Sequence, residues 1–306
     1  MEIIKLDGTQ INMNEPICSA LGFFDGLHIG HMALVNEVQK VANEKNYKTA
    51  LMTFDHYPLY VLGRIPEEKM LTTMEDRIEI LEKIGIDYLF IIRFTKEVAA
   101  LPPQDFIQNY LINNHIKHIV CGFDFHFGYK NSGDIELLKS YDDFDTSVID
   151  EVIYEGEKIS STRIRKTLDE GHIENINYLL GREYCIQGKV IKGRSIGHTL
   201  GFPTANIDYQ SYFLPCRGVY AVKVKIGEAW HIGMCNIGFN PTFKELEKTS
   251  LEINIIDFHQ NIYDQNVLVV FYHKIRNEKM FENKEQLIAQ LNHDQEEIIN
   301  YFKKSI

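Results

Sequence analysis

The chain's chemistry begins with two histidines three residues apart. In Gly22-Phe23-Phe24-Asp25-Gly26-Leu27-His28-Ile29-Gly30-His31 the glycines let a backbone approach a ligand closely. If a helix starts there, His28 and His31 can project toward one spot. A helix N-terminus also offers unpaired N–H groups and a positive dipole end to an anion. Imidazoles donate hydrogen bonds to phosphate oxygens and stabilise charge that develops during transfer. Gly22, Phe23, Asp25 and Gly30 are therefore candidates for a phosphate-binding turn, and His28 and His31 for catalysis. A second stretch, Ile159-Ser160-Ser161-Thr162-Arg163-Ile164-Arg165, leads into a helical run that ends near Gly171. Ser160 or Ser161 suits an N-cap. Ser161 and Arg165 lie four apart, so one face could present a hydroxyl and a guanidinium to a phosphate.

A different constellation follows later in the chain. Gly193-Arg194-Ser195-Ile196-Gly197-His198-Thr199-Leu200-Gly201-Phe202-Pro203-Thr204-Ala205-Asn206 places Gly193, Gly197 and Gly201 where a backbone could wrap phosphates. The Thr204 hydroxyl and the Asn206 side-chain oxygen are hard ligands suited to Mg2+ beside ATP phosphates. No Gly-Lys-Ser/Thr follows, so this is not a Walker A loop. In Leu251-Glu252-Ile253-Asn254-Ile255, strand alternation turns Leu251, Ile253 and Ile255 inward and Glu252 and Asn254 toward a possible ligand. Taken singly, these stretches also fit incidental histidines, a capped basic helix, a glycine-rich hairpin and an ordinary exposed glutamate.

The positioning elements fall into two kinds. In the first half short apolar runs alternate with helical patterns. The strands expected are 16–21, 48–54, 88–93 and 118–121, and the helices are 32–45, 73–84 and 103–114. This alternation predicts an α/β domain with a mostly parallel sheet, whose ligands gather beyond the strand C-termini. In the second half 184–192, 218–226, 230–237, 250–258 and 267–275 are all strand-like. They predict a small antiparallel β-barrel, closed by a terminal helix with Leu287, Ile288, Leu291, Ile298 and Phe302 at helical spacing. The boundary is expected at 182/183, after the helix containing Asn177–Leu180.

Charge shows the same division. The 306 residues carry a net charge of −11, and from Glu183 to Ile306 the 14 Lys+Arg balance 14 Asp+Glu. The whole acidic excess lies in the first 182 residues. Such a balance argues against a nucleic-acid or anionic-membrane partner. Cys18, Cys121, Cys185, Cys216 and Cys235 are scattered and lack metal-finger spacing, which points to reduced, buried thiols. No membrane span or signal peptide is evident, so a cytoplasmic location is expected.

The first half resembles the HxGH nucleotidylyltransferase superfamily with its second signature, ISSTxxR. More closely, it resembles the adenylyltransferase module of prokaryotic bifunctional riboflavin kinase/FAD synthetases. Cys121-Gly122-Phe123-Asp124-Phe125-His126-Phe127-Gly128 matches that family's G-x-(D/N)-F-x-F-G segment. Leu71-Thr72-Thr73, Arg93-Phe94-Thr95 and Thr53-Phe54 also fall in place. The family's Pro-His-Pro reads Asp55-His56-Tyr57-Pro58 here, with Tyr57 in place of the usual histidine. The second half resembles the same enzymes' flavokinase module through GHTLGFPTAN, Gly218-Val219-Tyr220, the Asn236 to Thr242 segment and the helix with Asp294.

The resemblance implies a Rossmann-like adenylyltransferase domain at 1–182 and a kinase barrel at 183–306. ATP, riboflavin and FMN would be substrates, FAD the product and Mg2+ the metal. It implies Glu252 as the kinase general base, with His28, His31 and Arg165 serving adenylyl transfer. Phe54, Asp124 and Phe125 are implied near the flavin of the first site, with Phe123 a further candidate, and Arg276 near that of the second; core packing fits Phe54, Phe123 and Phe125 equally, and a solvated side chain fits Arg276. An alternative is a riboflavin kinase whose first half is a weak or inactive flavin- or nucleotide-binding module. A pantetheine-phosphate or nicotinamide-mononucleotide adenylyltransferase would lack the appended barrel.

Overall fold

The computed structural model describes residues 1–7, 13–193, 200–239 and 249–304. Its contacts divide the chain into two compact units, Met1–Ser161 and Thr162–Ile306.

The first unit is built on a six-stranded parallel sheet in the order β1-β4-β3-β2-β5-β6. The strands are β1 (Glu2–Leu6), β2 (Ile17–Leu21), β3 (Lys48–Phe54), β4 (Tyr88–Ile92), β5 (Ile116–Gly122) and β6 (Asp145–Ile149). The central strands are apolar runs, as burial on both faces requires. β1 and β6 lie at the edges and are less apolar, with only two of β1's five residues and none of β6's buried. They therefore lack the run that marks the other four in the sequence. One core layer contains Leu21, Met52, Phe90, Ile107 and Cys121. The other contains Ala20, Phe24, Leu27, Val35, Val38 and Leu51. Alternate strand residues thus supply opposite faces.

The expected helix at 103–114 is present in looser form. Its first turn is α-helical at Pro103–Phe106, then π-helical at Ile107–Leu111 and 3-10 at Ile112–Asn114. A short hairpin, β7 (Ile153–Tyr154) with β8 (Glu157–Lys158), turns at Glu155 and Gly156, both at positive φ.

The second unit is a closed barrel, β10-β13-β12-β11-β14-β9. Its strands are β9 (Cys185–Ile191), β10 (Ala205–Asp208), β11 (Gly218–Ile226), β12 (Ala229–Phe239), β13 (Thr249–Ile255) and β14 (Asn266–Asn277), and every described pairing is antiparallel. Short, polar β10 carries no apolar run, and the sequence reading lacked it. The terminal helix Lys284–Lys304 lays Ile298 and Phe302 over Val219, Ala221 and Met234 on the outside of the barrel. This burial of Val219 and Ala221 ends the inside/outside alternation that β11 otherwise keeps.

From Thr162 onward the helix Ser161–Glu170, and with it the helix Ile173–Leu180, counts with this second unit. Asn177 Nδ2 donates to Phe271 O at 3.1 Å and its Oδ1 accepts from Tyr184 N at 2.7 Å, while Cys216 N donates to Leu168 O at 2.9 Å. Packing therefore divides the chain before these helices, whereas the sequence reading divides it after them. Among the described residues no helix is long and apolar enough to cross a membrane.

Candidate active sites

The first candidate site sits where the sheet order reverses. From β2 the chain steps outward to β3 and β4, then returns to the other side of β2 as β5. The loops after β2 and β5 thus flank the crevice in which open parallel sheets bind ligands. The loop after β2 carries the histidine turn. Phe24 and Leu27 are buried at positive φ (55° and 37°) and Gly26 has φ 89°, so a tight, unusual backbone leads into the helix Ile29–Lys45. His28 is the N-cap of that helix, its Nδ1 accepting from His31 N at 3.2 Å. With Nδ1 accepting, the proton of neutral His28 belongs on Nε2. The two imidazoles stack at 3.6 Å with 14° between planes. A β-carbon at Gly30 would lie 3.1 Å from the His28 ring, so glycine leaves room for that imidazole.

Asp25 holds the turn in place. Its carboxylate is buried and accepts from Leu71 N (2.9 Å) and Thr72 N (3.1 Å), and Gly26 N donates back to Thr72 Oγ1 at 2.9 Å. Ser161 Oγ donates to Asp25 O at 2.7 Å, so the second signature is fastened to the first through this residue. Asp25 therefore has the geometry of a brace. Ser160, half-buried, immediately precedes the helix at its N-cap position. Arg165 lies in the second unit, its guanidinium 5.9 Å from the Phe213 ring.

Arg77 was not singled out by sequence, yet it lies behind this loop. It is buried, donates to Phe23 O at 2.9 Å and Thr53 Oγ1 at 3.3 Å, and stands 5.3 Å from the Phe23 ring. Burial lowers its pKa, against the opposing pull of Asp25 and Glu68. Its helix, Met74–Ile84, begins in a capping box between Thr73 and Asp76. That S/T-x-x-D signal was legible, but only the fold aims the arginine at Phe23.

The second candidate site is made by strand register. Asn206 on β10 pairs with Glu252 on β13, Glu252 with Asn236 on β12, Asn236 with Val219 on β11, and Val219 with Arg276 on β14. Directly opposed residues share a sheet face. One cross-strand row therefore collects Asn206, Glu252, Asn236 and Arg276 from four strands. Leu251, Ile253 and Ile255 are buried, as expected, and Glu252 is half-exposed on the opposite face. Thr204 Oγ1 donates to Glu252 Oε2 at 3.5 Å. A β-carbon at Gly193 would lie 2.0 Å from Asn206 Nδ2, so glycine keeps that amide's place open. Asn254 departs from the expectation. It is buried, and its Nδ2 donates to Pro203 O at 2.8 Å, which fixes the turn before Thr204. Gly201 has φ 84°, and Gly197 lies outside the described residues. In the sequence Asn236 stands only as part of a motif; the register places it beside Glu252.

Arg276 is held rather than solvated. Nε and Nη2 both reach the fully buried Asp294, at 2.9 Å to Oδ2 in each case, and Gln290 Nε2 donates to Asp294 Oδ1 at 2.8 Å.

Comparison with known proteins separates the same two halves. A family model described as FAD synthetase matches residues 10–163, and one described as riboflavin kinase matches 180–302. The bifunctional riboflavin kinase/FMN adenylyltransferase of Listeria monocytogenes is 42% identical over 93% of this chain and 92% of that protein. That of Bacillus subtilis is 39% identical over 92% of each. The chain belongs to the bifunctional riboflavin kinase/FMN adenylyltransferase family. The family's Escherichia coli K12 member is 34% identical over 90% of this chain and 89% of its own. A solved structure described as the macrolide-efflux protein of Streptococcus pneumoniae shares the whole architecture, with a TM-score of 0.89 at 32% identity over 97% of this chain and 99% of that one.

Within this family framework, the aromatic candidates of the first site differ in surroundings. Phe54 meets Phe94 edge-on at 4.7 Å, and Phe125 stacks on Phe127 at 5.7 Å; both are partly buried against the core. Phe123 remains 42% exposed. Asp124 pairs with Lys158. Tyr57, at the family's histidine position, stacks on Phe23 at 5.0 Å with 18° between planes. None of the five cysteines forms a disulfide; Cys18, Cys121 and Cys235 are buried as expected, whereas Cys185 and Cys216 are only partly so. Burial pushes Cys121 up to about 11 and Cys18 up to about 12, so both are inert packing groups.

Proposed function

We propose that the chain makes FAD in two reactions, with residues 183–306 phosphorylating riboflavin and residues 1–182 adenylylating FMN. The observation that carries this reading is the row that sets Glu252 between Asn206 and Asn236, with the Thr204 hydroxyl on its carboxylate. It gives an outward-facing acid in a nest of oxygen ligands, beside a glycine that leaves room for Asn206. Glu252 accepts the proton of the ribityl 5′-hydroxyl as that oxygen attacks the γ-phosphorus of ATP, and ADP departs. Arg276, fixed by Asp294, presents a rigid cation on the same face toward the flavin.

Among the described residues no cluster of three or more His, Cys, Asp or Glu could hold a metal ion. The hard oxygens of Thr204 and Asn206 nevertheless fit Mg2+ and would hold it beside the phosphates of ATP. When bound it would offset charge on the phosphates and polarise the phosphoryl group.

In the other half an FMN phosphate oxygen attacks the α-phosphorus of ATP, and pyrophosphate leaves. The nucleophile is already an anion, so no protein base is needed. What the site supplies is alignment of two anions and neutralisation of the developing charge. His28 and His31 supply imidazole donors, the helix Ile29–Lys45 supplies its N-terminus, and Ser160, Ser161 and Arg165 act through the second signature. Gly22, Phe23 and Gly30 shape the turn, and Phe54, Phe125 and Asp124 receive the flavin.

Incubating the pure protein with riboflavin, ATP and Mg2+ and separating the flavins tests this reading. FAD supports both halves. FMN alone removes the adenylyl assignment, and unchanged riboflavin removes both.

A further inference from the structure

The loop after β5 carries Asp124 and the exposed ring of Phe123 into a half of the chain that already holds the entire acidic excess. A carboxylate there repels an anionic substrate unless something offsets it. Lys158 does so. Its ammonium pairs with Asp124 and sits 4.5 Å from the Phe123 ring centroid, so a single cation compensates the acid and covers one aromatic face.

Lys158 ends the β7–β8 hairpin, and the residues after it run directly to the other ligand loop. Ile159 N donates to Val152 O at 2.8 Å, which closes the base of the hairpin. Ile159 O lies 3.4 Å from where a β-carbon on Gly30 would stand. Ser161 Oγ donates to Asp25 O. Four consecutive residues therefore join the loop after β5 to the histidine turn after β2, across the reversal of strand order.

We propose that Lys158 is a positioning and charge-compensating residue for FMN adenylylation: it neutralises Asp124 and orients Phe123 so that the loop after β5 accepts an anionic flavin, while Ile159–Ser161 keep that loop in register with the nucleotide turn. This rests on the adenylyltransferase reading given above. The Lys158 and Asp124 side chains are 34% and 59% exposed, and a pair so open to water contributes little to stability. A brace for the fold is therefore a poor account of it, whereas a charge at the mouth of a site acts strongly on an incoming anion.

The test measures steady-state FAD synthesis from supplied FMN and ATP, with riboflavin phosphorylation by the same preparation as the control for folding. Lys158→Met should raise KM for FMN about three- to tenfold with kcat changed less than about twofold, and added salt should narrow the gap. Lys158→Arg should restore the native KM. Because the defect is an uncompensated carboxylate, Lys158→Met should raise KM for FMN less in an Asp124→Asn background than in the native one, with Asp124→Asn alone as the reference because Asp124 also receives the flavin. A Lys158→Met enzyme with native KM, a fall confined to kcat, or an equal rise in KM in both backgrounds would overturn the proposal. Absence of FAD synthesis by the unaltered protein would instead overturn the adenylyltransferase reading.

Discussion

The two halves of this molecule place their chemistry by different means. In the sheet unit the candidate residues stand on loops beyond the strand ends, and each loop is nearly complete within ten residues of sequence. His28 caps its own helix and accepts from His31, so the pair's geometry is local. In the barrel the polar row stands on strands: Asn206, Glu252, Asn236 and Arg276 line up only because β10, β13, β12, β11 and β14 pair in one register. A one-residue slip of β13 would turn Glu252 into the barrel and Ile253 outward. The histidine pair of the loop-borne site is set locally and braced by single bonds from Leu71, Thr72 and Ser161, while the strand-borne row depends on the whole closure.

The sharpest way to break this comparison is to disable each half alone. Glu252→Ala should lower FMN formation by about 10^2- to 10^4-fold and leave FAD synthesis from supplied FMN intact; near-native FMN output would remove Glu252 from its role. His31→Ala should do the reverse, cutting FAD formation by about 10^2- to 10^3-fold with riboflavin phosphorylation unchanged, as read from product ratios. Equal losses in both assays for either variant would mean that the halves are not independent.

Stability should separate the halves too. Asp294→Ala strands the Arg276 guanidinium and should destabilise the barrel by about 3 kcal/mol, seen as a lower urea midpoint for a barrel probe such as Trp230. In the sheet unit Thr73→Ala removes one arm of the capping box and should cost about 1 kcal/mol. If calorimetry shows the Thr73 change to be the larger, the closure argument fails.

The smallest effect is a pH dependence in the sheet unit. His118 is buried on β5, with Nε2 2.8 Å from Ser147 Oγ and Nδ1 3.9 Å from Asp145 Oδ2, and Lys45 pairs with the same Asp145. Burial, aided by Lys45 and opposed by Asp145 and Glu37, lowers its pKa from 6.5. Above 6.5 both folded and unfolded His118 are neutral, and its contribution is fully present. As pH falls from there toward the folded value, the unfolded chain takes up a proton that the folded one does not, and stability declines. A melting temperature that drops from pH 7.5 to 5, with a shallower slope in His118→Gln, is the expected outcome. Equal slopes would assign the effect to other groups.

The legible parts were those carried by strong local patterns. The central strands were readable because burial on both faces demands an unbroken apolar run, and β3 (Lys48–Phe54) and β11 (Gly218–Ile226) match their expected spans. β1 and β6 were not, because an edge strand half open to water needs no such run. β10 was hidden by its brevity. The helices 161–170 and 173–180 were legible as helices, but no periodicity states which core they join. Asn254 alternates with Ile253 as a ligand-facing residue would, and only its bond to Pro203 shows that it braces a turn. Asp25 stands in the phosphate turn by its local motif, and only the fold shows that its carboxylate also accepts from Leu71 N and Thr72 N.

The sequence by itself determined the two kinds of architecture, the histidine turn at a helix start, the inward set Leu251, Ile253 and Ile255 and, through its motifs, the family. Each of these follows from residue type and spacing over a short span, where backbone geometry converts period into direction. Only the tertiary structure decided that Arg77 lies behind Phe23, that Lys158 meets Asp124, that Asp294 holds Arg276, and that Asn236 stands beside Glu252. Those pairs join segments distant in sequence. Their meeting is fixed by strand order, register and the helix laid on the barrel, which arise from burial of the whole apolar surface and not from any local pattern.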